Sequence, residues 1–438
     1  MDPLTLGALV GLSTIFVLFS GVSVGVGLLI VSGGFLVVFD GMRSLELMPE
    51  LFFSKLDSFA LLSIPMFIIM GSSIASTRAG ADLYEALERW LTRIPGGLVI
   101  SNLGACALFA AMSGSSPATC AAIGKMGIPE MLKRGYPEGI ATGSIAAGGT
   151  LGILIPPSVT MIVYGVATET SIGRLFLAGV FPGLLLVGLF MAWSLYATWR
   201  SGNAAVLTPR EYTWREKFEI LPRVLPFVAI IIGVLYTMYG GVATPSETAA
   251  VGAILCLLVA IVIYRLWDIR KIWMILQDST RESVMILFII AAAGVFSYML
   301  SSLSITQSIA EWIGTLDVNP WILMICVNIF LIIAGFFLPP VAVILMAAPI
   351  LLPIITTAGF DPIWFAVILT INMEIGLISP PVGLNLYVIN GIAPDISLRT
   401  ILIGSLPFVG CMLLAIVLLC FFPGIATWLP EAVMGPRF

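Results

Sequence analysis

Two stretches of this sequence have the residue types and spacing to hold an ion in apolar surroundings. One is Gly149-Thr-Leu-Gly-Ile-Leu-Ile-Pro-Pro-Ser158 and the other is Glu374-Ile-Gly-Leu-Ile-Ser-Pro-Pro-Val382, each a proline pair inside a long apolar run. Proline has no N–H and clashes with the carbonyl four residues back, so each pair breaks a helix. The carbonyls released are those of Gly152 and Ile153 in the first stretch, and Gly376 and Leu377 in the second. Pro117 releases the carbonyl of Ser113 in the same way, and Pro339 and Pro340 release those of Gly335 and Phe336. With the hydroxyls of Ser113, Ser115, Ser116, Thr119, Thr150 and Ser158, these are hard oxygen ligands. They suit sodium, which needs no fixed charge where half-helix C-terminal ends also face it, while half-helix N-termini can face an anion. One proline pair alone is more simply a structural kink. Four breaks at matched positions favour a site at the membrane midplane.

Two carboxylates lie at or near membrane depth, and an intramembrane acid is a functional candidate by default. Glu247 follows Thr244-Pro-Ser and reads equally as a helix-capping residue. Glu374 lies one turn before the second break and can coordinate a cation, carry a proton or pair internally. Asn372, Asn385 and Asn390 flank the same break, with Asn385 the best polar contact for a substrate. Other chemistries are poorly supplied. Histidine is absent, which removes the commonest proton shuttle and metal ligand, and no Ser/His/Asp or Cys/His set can form. The six cysteines show no CxxC spacing and read as small apolar residues. Ser113-Gly-Ser-Ser-Pro lacks the Gly-Lys-Ser/Thr of a nucleotide-binding loop, so no ATPase and no enzyme is expected. No cofactor is implied beyond sodium as a coupling ion.

The elements that position these residues must be membrane helices. Of 438 residues 59% are hydrophobic and 10% charged, with mean hydropathy +1.10, whereas soluble domains carry roughly a quarter charged residues. Net charge −4 without a basic tract gives no support to nucleic-acid binding. Apolar runs recur from end to end, and the first has no basic leader and is read as mature transmembrane sequence. Residues 4–39 are too long for one span and are read as two helices parted at Ser20-Gly-Val-Ser23. Residues 41–57 and 81–93 read as interfacial amphipathic arms. In the second, Leu83, Leu87, Trp90 and Leu91 form the apolar side, and Asp82, Glu85, Glu88 and Arg89 the polar side. Residues 97–132, two short apolar arms around the tip Ser113-Gly-Ser-Ser-Pro-Ala-Thr119, read as a re-entrant hairpin.

The pattern then restarts. Gly152, Pro156-Pro157, Arg174, Gly179 and Pro182 match Gly376, Pro380-Pro381, Arg399, Gly404 and Pro407 at a nearly constant offset. The expected division is a scaffold and arm at 1–57, then a first repeat at 58–199 with a hairpin near 97–132 and a broken helix near 138–168. A cytoplasmic loop and linking helices occupy 200–281. A second repeat spans 282–423, with a hairpin near 321–355 and a broken helix near 361–391, and 424–438 is a C-terminal tail. The base of the first hairpin carries Arg89, Arg93, Lys125, Lys133 and Arg134, and that of the second Glu311, Asp317 and Asp361. The positive-inside rule then opens the first hairpin to the cytoplasm and the second outside, which makes the repeats inverted. Both termini fall outside, together with Arg43, Lys55, Arg174 and Arg437.

Gly114-Ser-Ser-Pro-Ala, Gly149-Thr-Leu-Gly-Ile-Leu-Ile-Pro-Pro-Ser, Thr244-Pro-Ser-Glu-Thr-Ala-Ala and Pro349-Ile-Leu-Leu-Pro-Ile together resemble the large membrane subunit of the tripartite ATP-independent periplasmic (TRAP) transporters, over nearly the whole chain. The resemblance implies an all-α polytopic membrane protein: an inverted-repeat elevator transporter with two re-entrant helical hairpins and two discontinuous helices, in a bacterial inner membrane. It implies sodium-driven import of a small organic anion, a carboxylate or sugar acid. A periplasmic binding protein would deliver the substrate, and a separate small subunit of four helices would brace the permease. Sodium positions carried over by motif are Ser113, Ser115 and Ser116 with Gly149, Gly152 and Pro156, and Gly335 and Pro339 with Gly376, Ser379 and Pro380. Ser115, Ser116 and Ser158 are substrate-side candidates, beside Asn385 and Glu374. Some members carry an aspartate at the second hairpin tip, where this chain has Pro339, so an aspartate contact to substrate does not transfer. The main alternative is a stand-alone sodium/anion symporter or antiporter of the same inverted-hairpin design.

Overall fold

The computed structural model describes residues 2–91, 96–200, 212–315 and 319–436. Arg93, Asp317, Arg437 and residues 201–211 of the expected polar loop lie outside the described residues. The described chain is helical, and seven helices are long and apolar enough to cross a membrane, or eight if one bent pair counts as a single span. That pair joins residues Met42–Leu56 to Phe59–Ala75 at 61°, where the first interfacial arm was expected to turn into a span.

The N-terminal run is parted as expected, into α1 (Pro3–Phe19) and α2 (Val24–Asp40). Helix α3 (Met48–Leu56) lies against the later helix α13 (Ile269–Ser302): the rings of Phe52 and Phe288 meet at 5.8 Å. It is followed by α4 (Ser63–Ala75) and the second arm, α5 (Ala79–Leu91). The first hairpin is α6 (Gly97–Ser113) and α7 (Ser116–Lys133). Its tip is shorter than expected. Only Gly114 and Ser115 are non-helical, because Ser115 adopts extended N-cap geometry and Pro117 fits the first turn of the returning arm, where no N–H is needed. The first broken element is α8 (Glu138–Thr150), a short 3-10 turn at Leu151–Ile153, the cis Pro156-Pro157 bond, and α9 (Val159–Ala167). Helix α10 (Ile172–Arg200) follows.

Two linking helices are started by reciprocal caps. Thr213 and Glu216 open α11 (Trp214–Tyr239), and Thr244 and Glu247 open α12 (Pro245–Val262). The capping alternative thus accounts for Glu247. Much of the expected cytoplasmic loop is helix instead: α11 starts at Trp214, and α13 runs 34 residues through Arg270, Lys271 and Arg281. Charge hid this, since a helix that leaves the bilayer no longer has to be apolar. The second half continues with α14 (Ile305–Thr315), the arms α15 (Pro320–Phe337) and α16 (Pro340–Thr357), and the broken pair α17 (Pro362–Leu377) and α18 (Leu384–Ile392) with a cis Pro380-Pro381 bond between them. Helices α19 (Leu398–Phe421) and α20 (Gly424–Met434) close the chain. Residues 424–434 are therefore a packed helix and not a tail: Arg174 donates to the Met434 carbonyl at 3.1 Å, and the Phe181 and Trp428 rings meet at a tilt, 5.8 Å between centroids.

The leading halves of the two broken elements occupy the centre. Every residue from Ala141 to Thr150 is buried, and so is every residue from Ile363 to Leu377. Small residues permit this density. A Cβ on Gly143 would fall 2.1 Å from the Gly404 carbonyl, so α8 and α19 cross backbone to backbone.

Arm α5 departs from the amphipathic reading. Its Asp82 and Glu88 are buried, not solvated. Glu88 pairs with Arg134 and accepts a hydrogen bond from Tyr212, and Asp82 accepts one from Tyr264 at 2.9 Å. Burial pulls the Arg134 guanidinium down, but Glu88 and Glu130 outweigh it and hold the group above its ordinary range. Burial, then Asp82, raises the Tyr264 phenol. Trp90, expected on the apolar side, is 38% exposed and packs with Trp214 around the Lys217 ammonium at 5.7 and 5.4 Å. Two sides of α5 thus bury an acid each, because α7 supplies Arg134 to Glu88 and the 212–264 region supplies Tyr264 to Asp82.

Candidate functional site

The tip of the first hairpin rests directly on the first helix break. A Cβ on Gly152 would meet the Ser115 carbonyl at 2.6 Å, and one on Gly114 would meet the Pro157 carbonyl at 3.0 Å. Gly114 has φ +58, which glycine adopts at no steric cost. Ser113, Ser115, Gly152 and Pro157, distant in sequence, therefore form one polar nook. On its outer side the Ser113 carbonyl, which has no amide to receive at Pro117, lies against Gly71 of α4, whose Cβ would sit 2.5 Å away. Gly149 backs the nook from α8, its Cβ position closed off by the Cys120 sulfur at 2.0 Å.

The second half repeats this contact in another form. A Cβ on Gly376 would fall 2.3 Å from the Gly335 carbonyl, so the arm α15 touches α17 through two glycines. Gly335 and Gly376 are brought together one turn before the tip, while Pro339 caps α16 and lines the cavity described below. Pro380 and Ser379 lie in the break, with Ser379 buried.

Not all the carbonyls expected to be loose are so. The Ile153 carbonyl accepts the Ser158 hydroxyl at 2.5 Å, and that same hydroxyl caps α9 by accepting the Met161 amide at 3.3 Å. Ser158 is fully buried by this double use and does not line the cavity. The Ser115 carbonyl receives both the amide and hydroxyl of Thr119, at 3.1 and 2.9 Å, and the Ser113 and Thr119 hydroxyls meet at 2.8 Å. The Thr150 hydroxyl turns back to the Ala147 carbonyl at 2.7 Å. The Gly376 carbonyl receives the Ile378 amide and a long contact from the Ser379 amide, 3.4 Å.

A cavity of 480 Å³ opens in front of both tips. It is lined on one side by Ser113, Ser115 and Ser116 with Pro339 and Pro340, and on the other by residues of α2 and α13. Its size suits a small organic molecule. Of the substrate-side candidates, Ser115 and Ser116 line it. Asn385 does not: its amide donates to the Ser116 hydroxyl at 2.8 Å and to the Ala146 carbonyl at 3.1 Å, within a fully buried junction of the two halves. Glu374 does not either. It is fully buried, and neither carboxylate oxygen has a hydrogen-bond partner among the described residues. Asn372, on the far side of the same helix, bonds Asn328 of α15 at 2.6 Å.

Sequence reasoning missed Thr160 and Glu282, both of which line the cavity. Thr160 lies two residues beyond Ser158, in the first turn after the break, where a polar side chain in an apolar run was a usable signal. Glu282 lies well inside α13, on an exposed stretch of that helix, and nothing in its neighbourhood marked it as bordering the cavity.

A multi-pass helical membrane protein with paired hairpins seated on broken helices is the fold this chain adopts. Residues 12–425 match the family model described as "Tripartite ATP-independent periplasmic transporter, DctM component". The chain is 39% identical over 392 residues to the C4-dicarboxylate TRAP transporter large permease protein of Pseudomonas aeruginosa, covering 90% of both chains. It is 34% identical over 451 residues to the protein of the same description in Vibrio cholerae, covering 98% of both. Among solved structures it shares the fold of the Alcanivorax borkumensis YdaH transporter, with a TM-score of 0.67 at 16% identity, over 97% of this chain and all of that one. The chain belongs to the TRAP transporter family, as a large permease subunit, and is a transport component and not an enzyme.

Proposed function

We propose that this permease imports a small organic anion against its gradient by sodium symport, with the substrate handed over by a soluble periplasmic binding protein. The observation that carries the reading is the seating of Gly114-Ser115 on Gly152 and the Pro156-Pro157 break, matched by Gly335 on Gly376. Backbone that cannot be paired at membrane depth is tolerated only where it lines protein or a cavity that uses it. Carbonyls of Ser113, Gly152, Gly335 and Gly376 and hydroxyls of Ser113, Ser115 and Ser116 supply the oxygen ligands a dehydrated sodium ion needs. Gly149, Pro156, Pro339, Ser379 and Pro380 shape the two sites. The donors fit sodium better than a transition metal, because they are hard and uncharged.

Substrate would meet Ser115, Ser116 and Thr160 at the cavity wall, with helix N-termini behind them. Asn385 would act by fixing Ser116, and Ser158 by fixing the break. The two hairpins, as re-entrant elements, and the two broken helices would move together as an elevator, and the remaining spans would stand as scaffold. Helix α5, bonded to the first hairpin through Glu88–Arg134 and packed on α11 through Trp90 and Lys217, has the contacts of an arm between the two bodies. The small four-helix subunit would cover the scaffold in the inner membrane.

Reconstitution tests this reading directly. Vesicles holding the permease, its small subunit and its binding protein should accumulate labelled substrate under an inward sodium gradient, and not under potassium. Omission of either partner should abolish uptake. Sodium-driven uptake by the permease alone would instead support the stand-alone symporter.

A further inference from the structure

A second cavity, of 300 Å³, lies apart from the first, where α8, α10 and α19 meet. It exists because the residues at the crossing are small. A Cβ on Gly404 would fall 2.1 Å from the Gly139 carbonyl, so α8 and α19 touch through backbone, and Ala197 of α10 adds only a methyl beside them. Trp193, Ile403 and Phe408 make the wall apolar. One group does not belong in such a wall. Ser194 lines the cavity and is fully buried, and its hydroxyl has no hydrogen-bond partner among the described residues. Buried hydroxyls are costly to leave unpaired, so this one points to a ligand that brings an acceptor.

The mouth carries two arginines. Ile403 lines the cavity from α19, and Arg399 stands one turn further out on the same face. Ala197 lines it from α10, and Arg200 stands three residues further out on that face. The Arg200 guanidinium donates to the Tyr196 hydroxyl at 3.2 Å, and the Tyr196 ring meets that of Trp193 at 5.6 Å, so contacts run unbroken from the cavity wall to the charge. Both arginines are exposed, and neither forms an ion pair with a described residue. Glu138, at the start of α8, and Asp395, ahead of α19, are the acids at this end. By the positive-inside reading these are the cytoplasmic ends of all three helices, so the cavity lies at the inner leaflet.

We propose that this cavity binds a phospholipid of the inner leaflet, with an acyl chain along Trp193, Ile403 and Phe408, an ester carbonyl on the Ser194 hydroxyl, and the phosphodiester between Arg200 and Arg399. The depths agree. Ser194 lies about 9 Å further into the membrane along α10 than Arg200, as an ester lies below its phosphate. Basic pockets between membrane helices on the cytoplasmic side suit such head groups. The two acids accommodate a head group with or without an ammonium, so the phosphodiester and the chain are what the site recognises. A transmembrane helix of a partner subunit fits less well, because its backbone carbonyls are already bonded within it and offer Ser194 no acceptor.

The test uses the full-length permease, delipidated in detergent, and reads melting temperature as lipid is added. The probes are dioleoyl phosphatidylglycerol, dioleoyl phosphatidylethanolamine, and dioleoylglycerol, which has the same chains and no phosphate. Both phospholipids should stabilise the protein in a saturable way, and dioleoylglycerol should need about tenfold more. Arg200→Gln combined with Arg399→Gln should raise both phospholipid midpoints about tenfold and leave that of dioleoylglycerol in place. Ser194→Val, which keeps the volume and removes the hydroxyl, should weaken all three probes. Arg270→Gln combined with Lys271→Gln removes two exposed charges from α13 instead and should change no midpoint. No saturable response to either phospholipid, an equal midpoint for dioleoylglycerol, or unchanged phospholipid midpoints in the Arg200/Arg399 variant overturns the proposal. An equal shift in the two double variants also overturns it, because surface charge in general would then be responsible. Displacement of bound phospholipid by the purified small subunit would make the cavity a protein interface and overturns it as well.

Discussion

Asn385 and Ser116 stand in different halves of the chain, and the Asn385 amide donates to the Ser116 hydroxyl at 2.8 Å inside a fully buried junction. The second amide proton goes to the Ala146 carbonyl of α8 at 3.1 Å. One side chain therefore ties the hairpin arm α7, the broken helix α8 and the second half's α18 together. Asn385→Ala leaves a buried hydroxyl and a buried carbonyl without that partner, at about 1–3 kcal/mol. The melting temperature of the purified protein should fall by several degrees. Asn385→Ser, which keeps a donor, should fall less. Equal losses in the two variants would show that packing and not the hydrogen bonds holds this junction.

The glycine contact at the second site predicts an all-or-none effect. Gly376→Ala places a methyl 2.3 Å from the Gly335 backbone carbonyl, and backbone cannot rotate aside as a side chain can. The two elements must separate, so sodium-driven uptake should drop to background, even where the protein still inserts and is purified. Gly410→Ala, with nothing within 4 Å of the added methyl, is the matched control and should transport normally. Its small gain in helix propensity, up to about 1 kcal/mol, should slightly raise the melting temperature.

These contacts also show how much was legible beforehand. Proline pairs and the glycines four residues before them were readable because backbone chemistry is local: a missing N–H frees a named carbonyl whatever the surroundings. That Gly114 rests on Pro157, and Gly335 on Gly376, is a long-range contact that local backbone chemistry does not report; the grouping of these segments came only with the family resemblance. The state of each carbonyl was not readable. Ser158 closes the Ile153 carbonyl because the chain turns back within five residues, and no periodicity reports that turn. Nor could the sequence say that Asn385 would spend both amide protons on the protein. Glu282 failed for a third reason. Whether a charge within a long helix borders a cavity depends on the helices opposite, here the hairpin tips far away in sequence.

Arm α5 offers a stability test outside the apolar core. Arg134 reaches Glu88 and also Glu130, the latter at 2.9 Å, and the Glu88 side chain is 8% exposed. Arg134→Met strands a nearly buried carboxylate with the Tyr212 hydroxyl. The cost should be about 2–4 kcal/mol, below the full value for a buried pair because Arg134 is itself partly in water. Adding Glu88→Gln should recover most of the loss, since two uncharged groups need no counter-charge. A double variant as unstable as Arg134→Met alone would place the cost in lost packing. A pH series carries a second readout. The Tyr264 phenol is raised by burial and by Asp82, so its contribution is complete below the ordinary tyrosine value, about 10, and is lost as pH climbs toward the folded value. Wild type should therefore lose stability above about pH 10 more steeply than Tyr264→Phe, measured as melting temperature against pH.

Sodium itself should act as a stabilising ligand, and the first hairpin determines by how much. A ligand that binds only the folded state at a hundred times its dissociation constant adds about 2.7 kcal/mol. Replacing potassium by sodium at equal ionic strength should raise the melting temperature by a margin that saturates with concentration, which general salt effects do not. Ser113→Ala removes a hydroxyl that bonds Thr119 at 2.8 Å beside the Ser115 carbonyl, and should shift the sodium midpoint upward about tenfold, the size of one lost oxygen ligand or its positioning. Gly152→Ala should remove the response altogether, because its methyl would displace the Ser115 carbonyl from the break. Cys326→Ala lies on an exposed helix face away from both sites and should keep the wild-type curve. If sodium and potassium gave the same melting curve in wild type, the oxygens gathered at Gly152 and Gly376 would be structural seats for the hairpins and the transport cycle would draw its energy from another ion.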